Sequence, residues 1–363
     1  MARTGLNIYY RKDGRYEGRI ADGVKLNGKT KYRSVYGHSY EEVKEKMESL
    51  YTGQFTCSRK TNLTVYSLFQ EWISAISARV KESTISNYRM KAEKHILPYF
   101  GDMCHGDLNV YMVHAFITEK LDNGLSARYV SDIVVLLKSV FKYASRVYNL
   151  YNPLVNVMLP KKKKTEISLL NQSQQYRLME YLLKNQNPTT LGIALSMYTG
   201  LRIGELCALH WADIDFEKRI LTVRHTIQRI RNEHGSSRTK LIITEPKSVS
   251  SQRTIPIPAC LIPMLQKFRK SSEAFILSEV KKPIEPRVMQ YRFAAILKRV
   301  NLPSVHFHAL RHMFATNCIA LGFDVKSLSE ILGHSSVEIT LNRYVHSSME
   351  QKQSYMQRLS FAV

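Results

Sequence analysis

The sequence predicts a multidomain, mainly α protein that opens with a three-stranded β-sheet plus one helix, continues as an all-helical domain and ends as a mixed α+β domain. Three observations carry this expectation. Two hairpin turns, Asp13-Gly14 and Asn27-Gly28, fall within the first fifty residues. Apolar positions then recur at helical spacing as far as Ala144. Strand-like alternation returns only at Ile220–Ile227 and Arg253–Ile257, with helices before and after. A chain of 363 residues has room for two or three domains of the usual size, about 100–200 residues each.

The two turn dipeptides supply residues that tolerate positive φ, so three short strands are expected around them. Ile8, Tyr9, Tyr10, Tyr16, Ile20, Tyr32 and Val35 are interleaved there with Arg11, Lys12, Arg15, Arg19, Lys29, Lys31 and Arg33, which predicts a sheet with an aromatic face and a basic face. Ser39-x-x-Glu42 is a capping box ahead of an amphipathic run to Leu50, and residues 1–56 form the first domain. After the polar stretch Cys57–Asn62, helices are expected at Tyr66–Val80, at Ser83–Ile96 (stopped by Pro98) and at Asn109–Leu121 (closed by Asn123-Gly124). In a fourth, Ile133, Leu136, Leu137, Val140 and Ala144 fall on one face, completing a helical domain over residues 63–158. Pro160 and the four adjacent like charges Lys161, Lys162, Lys163 and Lys164 mark a basic linker over 159–167. Residues 168–363 form the last domain, with a long polar excursion between its two strand-like runs and helices again from Pro286.

Charge narrows the function. The chain has 53 Lys plus Arg against 30 Asp plus Glu, a net charge of +23 and a pI near 9.7, which calls for a polyanionic partner. No run of about 18 apolar residues offers a membrane span, and Met1–Arg11 has no apolar core of a signal peptide. The five cysteines, Cys57, Cys104, Cys207, Cys260 and Cys318, have no metal-finger spacing and read as reduced thiols. These features place the protein in a reducing bacterial cytoplasm, associated with the nucleoid, with nucleic acid rather than membrane as its partner.

Four segments carry the chemistry. In order they are Thr199-Gly200-Leu201-Arg202-Ile203-Gly204-Glu205-Leu206, Lys247, His308-Ala309-Leu310-Arg311-His312, and Leu332-Gly333-His334 followed by Tyr344. Attack on a phosphodiester builds negative charge on nonbridging oxygens. Arginine suits that task, because its planar fork stays charged and meets two oxygens at once. His308 and His312 stand four apart, but no glutamate follows the first histidine as a zinc hydrolase requires, so no metal is assigned.

In these segments and their order, the chain resembles the tyrosine recombinases, the lambda-type phage integrases, from about Ser168 to the end. The helical region resembles that family's core-binding domain, and residues 1–56 resemble the arm-type DNA-binding domain of integrases from phages and conjugative transposons. The resemblance implies a site-specific recombinase that needs no cofactor and that cuts and rejoins DNA through a 3′-phosphotyrosyl link to integrate or excise a mobile element. It assigns Tyr344 as nucleophile, Arg202 and Arg311 as the phosphate clamp, His308 as proton acceptor, His334 as a further hydrogen-bond donor to the phosphate, Lys247 as general acid and Glu205 in support. Lys240 lies on the same excursion as Lys247; the context Pro246-Lys247-Ser248 favours Lys247. The implied partners are double-stranded DNA at core and arm sites, a homotetramer, and DNA-bending or excision accessory proteins. Candidate DNA contacts are Arg11, Lys12, Arg15, Arg19, Lys31 and Arg33 on the sheet, with Lys161, Lys162, Lys163 and Lys164 in the linker. Two other readings compete: a topoisomerase that reseals without exchanging strands, and a DNA-binding regulator with an inactive site.

Overall fold

The computed structural model describes residues 7–24, 30–51, 63–161, 168–232, 237–246, 249–278 and 280–344, with 353, 356 and 357. By mutual contact the chain divides into two units, Met1–Ala75 with Ala92–Pro160, and Ile76–Lys91 with Lys161–Val363.

In the first unit, β1 (Ile8–Tyr10), β2 (Tyr16–Val24) and β3 (Thr30–Gly37) form an antiparallel meander. Gly14, at φ +80°, makes the first turn as its dipeptide implies, while Asn27-Gly28 lies outside the described residues. One face of this sheet receives α1 (Tyr40–Tyr51), whose Val43 and Met47 are buried against it. A side chain at Gly18 would collide with both, so glycine there lets the helix lie close. Ser39 caps α1 by accepting from the Glu42 N–H, but the Glu42 carboxylate reaches back to the His38 N–H at 2.8 Å.

The open face departs from the sequence expectation. Basic and aromatic residues are not segregated: Arg11, Arg19, Tyr9 and Tyr36 share this face around a buried carboxylate, Glu17. Glu17 accepts from Arg11 at 2.7 Å, Arg19 at 2.9 Å and Ser34 at 2.8 Å. Hydrogen bonds from Arg19, Ser34 and Arg11 hold its carboxyl down at about 2. The alternation missed this because a strand's two faces are set by parity, and Tyr9 and Arg11 have the same parity.

The helices α2 (Val65–Ser77), α3 (Glu82–Lys91, in the second unit), α4 (Leu97–Phe100), α5 (Val110–Asp122) and α6 (Ala127–Tyr148) follow. Pro98 does not stop its helix as expected. A π-helical turn, Ala92–Ile96, widens the ladder, and the proline falls in the first turn of α4, where its missing N–H costs least. Ile133, Leu136, Leu137, Val140 and Ala144 are all buried along α6.

The second unit is built around α8 (Pro188–Thr199), which follows α7 (Gln172–Lys184). Leu191, Ile193, Ala194 and Leu195 are buried on every side of α8, the composition of a central helix. Against it pack α10 (Ile262–Phe268), α11 (Pro286–Arg299) and α12 (His308–Ala320). After α9 (Ile203–Cys207), β4 (Ile214–Asp215), β5 (Ile220–Val223) and β8 (Arg253–Pro256) form one antiparallel sheet, and β6 (Thr226–Arg231) pairs with β7 (Thr239–Thr244) as a hairpin. The single strand expected over Ile220–Ile227 is thus split between two sheets. The chain continues through α13 (Val325–Leu332) and α14 (Val337–Tyr344). No helix among the described residues is long and apolar enough to cross a membrane.

Candidate active site

Gly200 ends α8 in the left-handed conformation, φ +64°, and turns the chain sharply so that Arg202 becomes the residue before α9. Glu205, three residues on, reaches back: one carboxylate oxygen accepts from the Arg202 backbone N–H at 3.0 Å and the other from its Nη1 at 2.7 Å. The motif spacing therefore fixes both ends of Arg202. Arg311, in the first turn of α12, is 2 % exposed. It donates to the carbonyls of Gly200 at 2.8 Å and Leu332 at 2.7 Å.

The turn that ends α13 organises this centre. A helix leaves its last carbonyls without intrahelical donors, and here three successive ones each accept from an arginine. Ile331 accepts from Arg253 Nε at 2.5 Å, Leu332 from Arg311 Nη2 and Gly333 from Arg202 Nη2 at 3.0 Å. Gly333 stands at φ +64°, and a Cβ there would press on Arg253 and the Ser250 carbonyl at about 3 Å. Glycine is needed both for the conformation and for the space. His334 follows at once, its Nδ1 2.8 Å from Oγ1 of buried Thr340 on α14. Ser336 caps α14, accepting from the Glu338 N–H at 3.1 Å.

Arg202, Glu205, His308, Arg311 and His334 line one cleft of about 420 Å³, together with Lys81, Gln228, Pro246, Ser251 and Ser335. The ring of His308 meets that of His312 edge to face, centroids 4.7 Å apart. Burial alone would push the Glu205 carboxyl up; Arg253, and after it Arg202, outweigh burial and hold it below the usual carboxylate range. The carboxylate therefore stays charged beside the two arginines. Lys247 lies outside the described residues, and so does the side chain of Tyr344, whose backbone ends α14.

Two residues of this centre escaped the sequence reading. Arg253 has a readable signal, since it shares the inward parity of Ile255 and Ile257 and so puts a charge on a buried face. Lys81 has none, being one more lysine at a helix boundary; in the structure its Nζ donates to the carbonyls of Glu245 at 2.6 Å and Pro246 at 3.0 Å. Among the sheet candidates, Arg11 and Arg19 pair with Glu17, Arg15 pairs with Asp13 at 2.9 Å, and Lys12 is exposed. The side chains of Lys31 and Arg33 are outside the described residues, as are Lys162, Lys163 and Lys164, whereas Lys161 is exposed.

Of the three guanidinium groups seated on one helix-terminal turn, those of Arg202 and Arg311 line the cleft together with two histidines, an arrangement suited to chemistry on phosphate esters. Comparison with known proteins specifies the class. The model of the phage integrase family matches residues 168–351, and that of the phage integrase N-terminal SAM-like domain matches 64–119. A tyrosine recombinase described as XerC-like, from Caldanaerobacter subterraneus subsp. tengcongensis, is 29 % identical over 386 aligned positions, covering 97 % of each chain. Among solved structures, the integrase of transposon Tn1549 in complex with a circular intermediate DNA superposes with a TM-score of 0.68 at 24 % identity, over 82 % of this chain and all of that one. A lambda integrase tetramer bound to a Holliday junction superposes at 0.59 and 18 %, over 96 % and 99 %. The chain belongs to the phage integrase family, the tyrosine recombinases, and is an enzyme of DNA strand cleavage and transfer.

Proposed function

We propose that the protein is a site-specific recombinase that integrates or excises a mobile element through a 3′-phosphotyrosyl intermediate at this cleft. The observation that carries the proposal is the gathering of Arg202, Glu205, His308, Arg311 and His334, from distant segments, around a single cleft. The phenol oxygen of Tyr344 attacks the scissile phosphorus and gives its proton to His308. The bond to the 5′ oxygen breaks, and Lys247 protonates that leaving oxygen. Arg202 and Arg311 take the nonbridging oxygens, where charge grows, and His334 adds a further donor. The phosphotyrosyl link conserves the energy of the broken bond, so a free 5′ hydroxyl from the partner duplex reverses the step without ATP.

Residues 168–363 act as the catalytic domain and 63–158 as the core-binding domain, joined by the linker 159–167. The first domain, 1–56, reads separate arm sites through Arg11, Lys12, Arg15, Arg19, Lys31 and Arg33, while the linker lysines 161–164 meet phosphates. Four subunits act on two duplexes at the nucleoid, with bending and excision proteins as accessory partners. Resealing alone would use the same phosphotyrosyl chemistry; the arm-type domain is what favours recombination.

The test is a nicked suicide duplex, bearing a core sequence that the full chain selects from random DNA, incubated with the protein in EDTA. A covalent protein–DNA adduct should form with wild type and vanish in Tyr344→Phe, which should still bind. An adduct that persists in Tyr344→Phe, or one that needs magnesium, contradicts the mechanism. Relaxed plasmid with no recombinant product identifies a topoisomerase instead.

A further inference from the structure

Arg253 has no task in the phosphate chemistry above, yet it is almost fully buried within the centre. Nη1 and Nη2 donate to the two oxygens of Glu205 at 3.2 and 2.9 Å; Nη1 also reaches the Ser251 carbonyl at 3.1 Å, and Nε the Ile331 carbonyl. A buried ion pair is a weak device for stability alone, since an apolar pair of similar volume often serves as well. Its connections suggest a different use. The Glu205 oxygen that takes Arg253 Nη1 is the one that takes Arg202 Nη1, and the carbonyls of Ile331 and Gly333 that take Arg253 and Arg202 belong to the same turn.

We propose that Arg253 is a positioning residue for strand cleavage: by fixing the Glu205 carboxylate and the last turn of α13 from behind, it sets the direction in which Arg202 presents its guanidinium to the phosphate. The inference rests on the recombinase reading of the cleft. Without Arg253 the carboxylate loses the partner that opposes Arg202, and a lysine, a point charge without the planar fork, cannot reproduce all four contacts. Among the described residues, the charged and titratable groups around Glu205 are Arg202 and Arg253 in contact, with Lys81, His308, Arg311 and His334 lining the same cleft.

The experiment compares full-length wild type, Arg253→Lys, Arg253→Met and the double variant Arg253→Met/Glu205→Gln in single turnovers on the selected suicide duplex, with thermal melting and duplex affinity measured alongside. Arg253→Lys should fold and bind within about threefold of wild type, yet form adduct ~10²-fold more slowly, the scale of a misplacement near an ångström. In Arg253→Met the Glu205 carboxyl loses its main counter-charge and burial drives it up, so the acid limb of the cleavage profile shifts to higher pH; a scaffold role leaves the limb where it was. The double variant, rid of the unpaired buried charge, should recover folding but not cleavage. Wild-type cleavage rates in folded Arg253→Lys or in the double variant, or an unmoved acid limb, overturn the proposal. Absence of adduct from wild type defeats the recombinase reading instead.

Discussion

Arg202 and Arg311 do different structural work, and their substitutions should separate accordingly. Arg202 sits at a cleft wall with its guanidinium partly exposed, whereas Arg311 is buried and ties the end of α8 to the end of α13. Arg202→Ala is expected to slow adduct formation by ~10²–10³-fold with little loss of melting temperature or duplex affinity. Arg311→Ala should lose cleavage similarly and also melt lower, because two buried carbonyls lose their donors; equal losses of binding and cleavage in both would refute the clamp. Gly333→Ala forces a side chain into left-handed backbone against Arg253, and should destabilise by about 1–2 kcal/mol or more in urea unfolding. That Arg202, Glu205, His308, Arg311 and His334 would meet at one cleft was legible because their segments follow the motif order of the family the sequence resembles. Arg253 was not, since a lone arginine opening a strand declares itself only when its parity with Ile255 and Ile257 is followed.

Among the elements, the N-terminal sheet hides its organising group from a linear reading. Glu17 gathers Arg11, Arg19 and Ser34 from three strands or turns, a pairing set by register rather than by neighbours in sequence. Its folded carboxyl titrates at about 2, below the ordinary value of 4.5. The stabilisation is therefore complete above about pH 4.5 and fades as the pH falls from there towards 2. The melting difference between wild type and Glu17→Gln should be present at pH 6 and shrink over that window; a difference constant down to pH 2.5 refutes the assignment. Long amphipathic helices such as α6 were readable from period alone. The hairpin partner β7 was not, because Leu241, Ile242 and Thr244 are half-buried while Ile243 is exposed, leaving no two-residue rhythm to find.

Over the whole molecule, the charge of +23 is the broadest signal and the least specific. It predicts affinity for any duplex that falls steeply with salt, by about 0.9 in log–log slope for each phosphate neutralised. Replacing Lys161, Lys162, Lys163 and Lys164 by Gln should flatten that slope without changing the sequence the protein selects. An unchanged slope would assign those lysines to a solvated tether. Composition and motif order thus reach the class of chemistry, whereas the way separate segments converge is a property of tertiary structure alone.

The end of α13 has one more consequence. Three peptide oxygens seat side chains from residues 202, 253 and 311, and the polypeptide leaving that seat runs through only a few residues into the rod that bears Tyr344. In the proposed reaction, receptor and attacking group are therefore mounted on a common bracket, joined by the strap from His334 to Ser336. Lengthening that strap by one residue would leave the arginines seated and carry the tyrosine out of range, a defect of alignment with no missing part.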